Sequence, residues 1–271
     1  HSSQPILLLD EPEAGLAGAR RAQLQSQVTQ ARARGAAVVW VAHETVSDDE
    51  VVVELGAARA ADLDLQTQAG EGPTRLFVPN ATARGRPLPE LSLKPHQLTW
   101  ISGRNGSGKT SWTRRVAGLH GPLLGLRLDD LDLGSSKAAQ RSAAGLCIYD
   151  ADRPSFAALT VGEHLELLGL GAEARGAELE RWRLRPGQSA QTLSGGERAR
   201  LAWARVAASH PRVVWADEPF RYLDARTARQ VAKVLERRRA AGASILLLDH
   251  PEGPSRALGA PLLELDTPEM I

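Results

Sequence analysis

Residues 103–110 read Gly-Arg-Asn-Gly-Ser-Gly-Lys-Thr, and no other segment of the chain is better suited to hold phosphate. They fit the pattern G-x-x-x-x-G-K-[ST]. The glycines let successive backbone N–H groups turn inward around phosphate oxygens, where a Cβ would collide. Residues 98–102 read as a strand leading into the turn, and a helix-compatible stretch at 109–117 follows it. That order sets the positive end of a helix against the same phosphates. Lys109 is then placed to reach the β- and γ-phosphates, and the Thr110 hydroxyl to ligate Mg²⁺.

Carboxylates and histidines recur in a second pattern, which the chain carries twice. Residues 6–12 read ILLLDEP and residues 213–219 read VVWADEP. Each ends an apolar run on an acidic pair, Asp10-Glu11 and Asp217-Glu218, and the same interval then leads to His43 and to His250. The shared offset also superposes Leu16 on Leu223, Gln23 on Gln230 and Gly35 on Gly242. A repeat at this distance is a whole domain and not a solenoid unit. The phosphate-binding turn, by contrast, occurs once. The chain is therefore expected to hold the back end of one domain over 1–72 and a complete second copy over 73–271. With His1 directly before a core strand, it reads as a piece of a longer tandem protein.

The elements that position these groups follow from periodicity. Short, continuously apolar runs at 6–9, 38–41, 213–216 and 245–248 predict strands buried on both faces of a parallel sheet. Polar, helix-compatible stretches at 18–34 and 225–241 join them into two β-α-β units, with Gly35 as a C-cap for the first. Residues 51–55, 91–93 and 262–265 suggest further strands. Small helices are expected at 160–169 and 177–182 and a longer one at 194–209, forming a separate lobe.

Composition narrows the function classes. A net charge of +1 gives no electrostatic bias towards nucleic acid. The single cysteine, Cys147, has no internal disulfide partner, which fits a reducing compartment. It reads as a small buried hydrophobe on a strand. No apolar run approaches the roughly 18–20 residues of a membrane span. A cytoplasmic protein is expected. Five of the six tryptophans (Trp40, Trp100, Trp112, Trp203, Trp215) fall on predicted strands or helices and read as core, whereas Trp182 lies in the small lobe.

One more motif completes the set. Leu193-Ser194-Gly195-Gly196-Glu197 directly precedes the long helix and lies upstream of VVWADEP. With it, the chain resembles the ATP-binding cassette ATPases: a Walker A loop, an LSGGE signature, two Asp-Glu-Pro Walker B strands and two switch histidines. The resemblance implies an α/β P-loop NTPase fold, with a RecA-like parallel or mixed sheet and a small helical signature subdomain at about 152–208. It implies ATP at Gly103, Arg104, Asn105, Gly106, Ser107, Gly108, Lys109, Thr110 and Ser111. Mg²⁺ would be held by Thr110 and Asp217, and by Asp10 in the first copy. Glu218 and His250 would act on the attacking water and γ-phosphate, as would Glu11 and His43 in the first copy. Ser194, Gly195, Gly196 and Glu197 would bind the ATP of a partner domain, and Asp224 would stand in the D-loop.

Three positions depart from the family pattern. The strand at 146–149 ends on Tyr149, followed by Asp150, where the family carries a glutamine. Ala17 matches Asp224 in the first copy. No aromatic lies in 81–86 to stack on adenine, where only Arg84 could offer a cation–π contact. Membrane-spanning transporter subunits are the implied partners, with the chain peripheral on the inner face of the cell membrane. The missing half of the first cassette, or a second copy of this chain through its second cassette, would supply the opposite face. Two fused cassettes suggest an importer of the energy-coupling-factor, peptide or sugar type. Two alternatives stand beside it: a translation-factor-like tandem protein, disfavoured by the short gap from His43 to Gly103, and a regulatory cassette that binds ATP without turnover.

Overall fold

The computed structural model describes residues 6–10, 18–34, 37–41, 65, 67–83, 86–150, 156, 158–259 and 261–265. It divides into two compact units, His1–Leu55 and Gly56–Ile271. This division falls earlier than the 72/73 boundary suggested by the sequence. Gln68 already bridges Leu98, and Thr67 N–H donates to the Leu258 carbonyl at 3.1 Å, so both belong with the second unit.

In the first unit, β1 (Ile6–Asp10) and β2 (Ala37–Val41) pair in parallel, with Ile6 opposite Ala37 and Asp10 opposite Val41. They are linked by α1 (Gly18–Ala33). The helix begins at the expected residue and ends just before Arg34, whose N–H still reaches the Gln30 carbonyl. The strand expected at 51–55 lies outside the described residues, as do Glu11, Ala17 and His43.

The second unit opens on short antiparallel strands that the apolar pattern did not reveal, because two or three residues carry too little periodicity. These are β3 (Leu76–Val78), β4 (Ala81–Ala83) and β5 (Arg86–Leu88). The expected β6 (Leu91–Leu93) pairs antiparallel with β3. After β7 (Leu98–Gly103) and α2 (Lys109–Val116), the chain forms β8 (Arg127–Leu128), β9 (Leu131–Asp132) and α3 (Ala138–Ala143). Next come β10 (Leu146–Asp150), α4 (Val161–Glu166) and α5 (Ala172–Trp182), the last starting earlier than expected. The long helix α6 (Gly195–Ala208) precedes β11 (Val213–Asp217), α7 (Ala225–Ala240), β12 (Ser244–Asp249) and β13 (Leu263–Leu265).

Strands β10-β11-β12-β7-β13 form one sheet, and every pair in it is parallel. All residues of β7, β11 and β12 are buried, which is why Val213–Ala216 and Ile245–Leu248 are continuously apolar instead of alternating. Successive side chains nevertheless point to opposite faces. Val214, Ala216, Ile245 and Leu247 join the core beneath α6 and α7. Val213, Trp215, Leu246 and Leu248 join a second core with Trp112 and Val116 of α2 and with Leu76, Leu93 and Leu128 of the antiparallel sheet. The α2 helix is thus gripped by apolar groups from both sheets. Trp112 meets Trp215 edge-on at 5.3 Å between ring centres, and Trp215 Nε1–H donates to Thr113 Oγ1 at 2.9 Å. Trp100, Trp112, Trp203 and Trp215 are all buried, as expected of core residues, and Trp182 is buried with them.

Candidate functional site

The phosphate-binding turn sits between β7 and α2, where the sequence puts it. Gly106 and Gly108 take the left-handed backbone (φ 82° and 101°), which a Cβ disfavours. Gly103 answers a different need: a Cβ there would stand 2.5 Å from Ser107 Oγ. Lys109 is 5% exposed, and its ammonium donates to the Gly103 carbonyl and, at 3.2 Å, to the Arg104 carbonyl. Burial pulls its pKa down, while the charges of Glu218, Asp217 and Asp249 push it up.

Those carboxylates come from the ends of two neighbouring strands. Asp217 closes β11 on the α2 face, the face of Trp215, two residues earlier. It is 4% exposed, and burial lifts its carboxyl to about 7 against an opposing hydrogen bond from Thr110. Its Oδ1 is buried with no protein partner, as is Ser107 Oγ in the turn. Unpartnered buried oxygens cost free energy unless something else bonds them. A hard oxygen-seeking cation at Asp217 and Thr110, with a phosphate at Ser107, satisfies that need. The residues present therefore fit Mg²⁺ and a nucleotide phosphate chain.

Glu218 follows in a left-handed conformation (φ 49°), its N–H tied to the Leu248 carbonyl at 2.8 Å. Its Oε1 lies 3.9 Å from His250 Nε2, and its Oε2 lies 3.0 Å from an Arg221 guanidinium nitrogen. His250 Nε2 also lies 2.6 Å from Asn105 Oδ1 in the phosphate-binding turn. Burial, then the Lys109 charge, hold the imidazole below its ordinary pKa and favour the neutral ring. Asp249 is buried beneath it and accepts from the His250 and Ser255 N–H groups at 2.8 and 3.0 Å. Gly253 has no room for a Cβ, which would meet Asp249 Oδ1 at 2.3 Å. Asn105, Lys109, Thr110, Asp217, Glu218 and His250 thus converge at one end of the sheet.

The signature residues are organised by a different set of contacts. Ser194 caps α6 by accepting from Glu197 N–H at 3.2 Å, and Glu197 Oε2 accepts from Ser194 N–H at 2.9 Å. These bonds hold Glu197 below the usual carboxylate range. Gly195 and Gly196 lie against the turn after β11: a Cβ on Gly195 would be 3.3 Å from the Tyr222 ring, and one on Gly196 would be 3.1 Å from the Tyr222 carbonyl oxygen. Asp224 caps α7, accepting from Thr227 N–H at 2.7 Å. Asp10 ends β1, whereas Glu11, His43 and Arg84 lie outside the described residues.

At the glutamine position, the strand's alternation distinguishes two residues that the sequence only places side by side. Tyr149 is 1% exposed and stacks on Trp203 at 4.4 Å within the α6 core, away from the α2 face. Asp150 stands directly opposite Asp217 in the sheet and raises its pKa through like charge. Asp150, Arg221 and Asp249 are the site residues that sequence reasoning missed. A strict period-2 reading of 146–150 could have found the first, whereas nothing local points to the other two. Cys147 is packed against the core, and burial lifts its thiol to about 11, which agrees with an inert structural role.

Comparison with known proteins agrees with this geometry. The ABC transporter family model matches residues 89–221. The cytochrome c biogenesis ATP-binding export protein CcmA of Bordetella bronchiseptica is 36% identical over 190 residues, covering 67% of this chain and 84% of that protein. The ribose import ATP-binding protein RbsA 1 of Streptomyces coelicolor is 26% identical, covering 91% of this chain and 59% of that protein. Among solved structures, a dimeric ATP-binding cassette in a post-hydrolysis state, bound to ADP and Pi, superposes with a TM-score of 0.57 at 19% identity. It covers 72% of this chain and 95% of that one, a likeness of fold.

Proposed function

This chain belongs to the ABC transporter family as an ATP-binding cassette, and on that premise we propose that it hydrolyses ATP to drive a membrane transporter. The convergence of Lys109, Asp217, Glu218 and His250 on one phosphate-binding turn carries the reading. The backbone of 103–110, extended to Ser111, binds the phosphates, and Lys109 neutralises their charge. Thr110 and Asp217 would hold Mg²⁺, which would supply charge neutralisation to the bound phosphates. Glu218 orients and polarises the attacking water. His250, kept neutral and held towards Asn105, donates or accepts a hydrogen bond at the γ-phosphate. Ser194, with the amides of Gly195 and Gly196, faces the nucleotide of an opposing cassette.

The finer reading is a two-cassette importer ATPase, peripheral on the cytoplasmic face of the membrane through its transporter subunits. The ribose import relative supports it, since it matches a share of this chain too large to leave out the whole first unit. The first unit, His1–Leu55, is then the end of a first cassette, in which Asp10, Glu11 and His43 repeat the roles of Asp217, Glu218 and His250. A second copy of the second unit, Gly56–Ile271, can take the place of that cassette, and turnover then rises steeply with protein concentration.

Lys109→Ala and Glu218→Gln test the assignment together. The lysine acts on bound phosphate, so its loss should weaken MgATP binding by about 100-fold or more. The glutamate acts on the attacking water, so its loss should leave affinity within a few-fold and cut turnover by roughly 10²–10⁴. Equal loss of affinity in both variants would overturn these roles.

A further inference from the structure

The turn from Glu218 to Leu223 carries two side chains that the reaction scheme above does not use. Arg221 donates to Glu218 Oε2 at 3.0 Å, and its guanidinium lies over the Tyr222 ring, 4.7 Å from the centroid. Tyr222 in turn is the residue against which Gly195 and Gly196 of the signature are packed. Glutamate, arginine, tyrosine and the signature turn therefore form one continuous line of contacts within a single chain.

The backbone holds that line in place. Glu218 and Tyr222 both have left-handed φ values, 49° and 64°, which non-glycine residues adopt only when their surroundings enforce them. Arg221 N–H bonds the Glu218 carbonyl at 3.1 Å, Leu223 N–H bonds the Phe220 carbonyl at 3.2 Å, and Trp203 Nε1–H anchors the Pro219 carbonyl at 2.9 Å. With Oε2 engaged by Arg221, the other oxygen of Glu218 is the one nearer His250. A planar guanidinium suits this place because it can stack on a ring by its face while donating along its edge.

We propose that Arg221 is a positioning residue that aims the Glu218 carboxylate, and that Tyr222 seats it, so that the signature turn and the carboxylate of one cassette move as a unit. The proposal rests on the role given to Glu218 above. A signature that shifts on engaging the opposing nucleotide moves Tyr222, and through Arg221 it changes where Glu218 points. Neither residue is assigned to the phosphates in the scheme above, so their loss is expected to fall on turnover and not on affinity.

The test is turnover of the 271-residue chain with MgATP, measured under single-turnover conditions beside nucleotide affinity. Arg221→Ala is expected to lower the rate about tenfold with affinity within twofold, since small misplacements of a reacting group are costly. Arg221→Lys keeps the charge but not the planar stack, and should recover less than half of that loss. Tyr222→Leu should cost about threefold, and the double variant Arg221→Ala/Tyr222→Leu no more than Arg221→Ala alone, because the ring acts through the guanidinium. Arg221→Met, which keeps the side-chain stem, replaces the alanine variant should that one fail to bind ATP. An unchanged or faster rate in the Arg221 variants, with Glu218→Gln inactive, overturns the relay and leaves the role of Glu218 standing. Multiplicative losses in the double variant overturn it equally. Full turnover by Glu218→Gln overturns both readings at once.

Discussion

In the segment from β1 to β2, and again from β11 to β12, two parallel strands bracket a helix of 16 residues. The helices even begin at matching positions of the repeat, Gly18 and Ala225. Their surroundings differ. Strands β11 and β12 are flanked by β10 and β7, and α7 buries Thr227, Ala228, Val231, Ala232, Val234 and Leu235. Strands β1 and β2 form a two-stranded sheet, and none of the residues of α1 whose burial is described is buried. Among the described residues, the same local plan is thus flanked by further strands only in the second unit. A β-α-β sequence specifies its own path but not its core, which comes from strands and helices beyond it.

Amide exchange should show the largest contrast. Strands β11 and β12 are expected to exchange about 10³-fold more slowly than β1 and β2, since β11 and β12 lie inside a five-stranded sheet with every residue buried. Equal protection in the two units would break the comparison. A paired substitution sharpens it, because Val28 and Leu235 occupy the same position of the repeat. Leu235 is fully buried, so Leu235→Ala should cost about 2–5 kcal/mol in chemical denaturation. Val28 is only half-buried, and Val28→Ala should cost less than about 1 kcal/mol.

Asp217 tests what burial does at the tip of the packed unit. Because burial lifts its carboxyl from 3.8 to about 7, the folded chain keeps a proton that the unfolded chain has already released between those values. Its contribution to stability is complete below the lower value and is lost as pH rises to the higher one. Asp217→Asn removes that loss. The variant should gain on the order of 2–4 kcal/mol over the parent at pH 8 without nucleotide, a gain that disappears near pH 4. A pH-independent difference would mean that Asp217 is ionised throughout.

The smallest contrast lies at the helix starts. Asp224 caps α7, and the matching residue of the repeat is Ala17, whose side chain carries no oxygen. Asp224→Ala should cost about 1 kcal/mol, and Ala17→Asp should stabilise the first unit by about 0.5–1 kcal/mol. Thermal melts of the two variants should therefore shift in opposite directions.

Much of the site was legible because its requirements are local. The glycines at 106 and 108 answer to backbone angles, the Ser194–Glu197 box closes over three residues, and the apolar strands announce a sheet covered on both faces. The repeat marked Asp217, Glu218 and His250 before any contact was known. The antiparallel strands β3, β4, β5, β8 and β9 were not legible, being too short to show a period. Tyr149 and Asp150 are neighbours in the chain, yet only the alternation of β10 sends the ring to Trp203 and sets the carboxylate beside Asp217. Likewise, no spacing rule says that Arg221 will bond Glu218 and lie on Tyr222, or that Asp249 will be buried beneath His250. By itself the sequence determined which groups could meet a triphosphate and in which elements they stand, because capping, turn geometry and hydrophobic period act over a few residues. The tertiary structure alone decided which face each group occupies and which charge answers it, because register and packing join segments far apart in the chain.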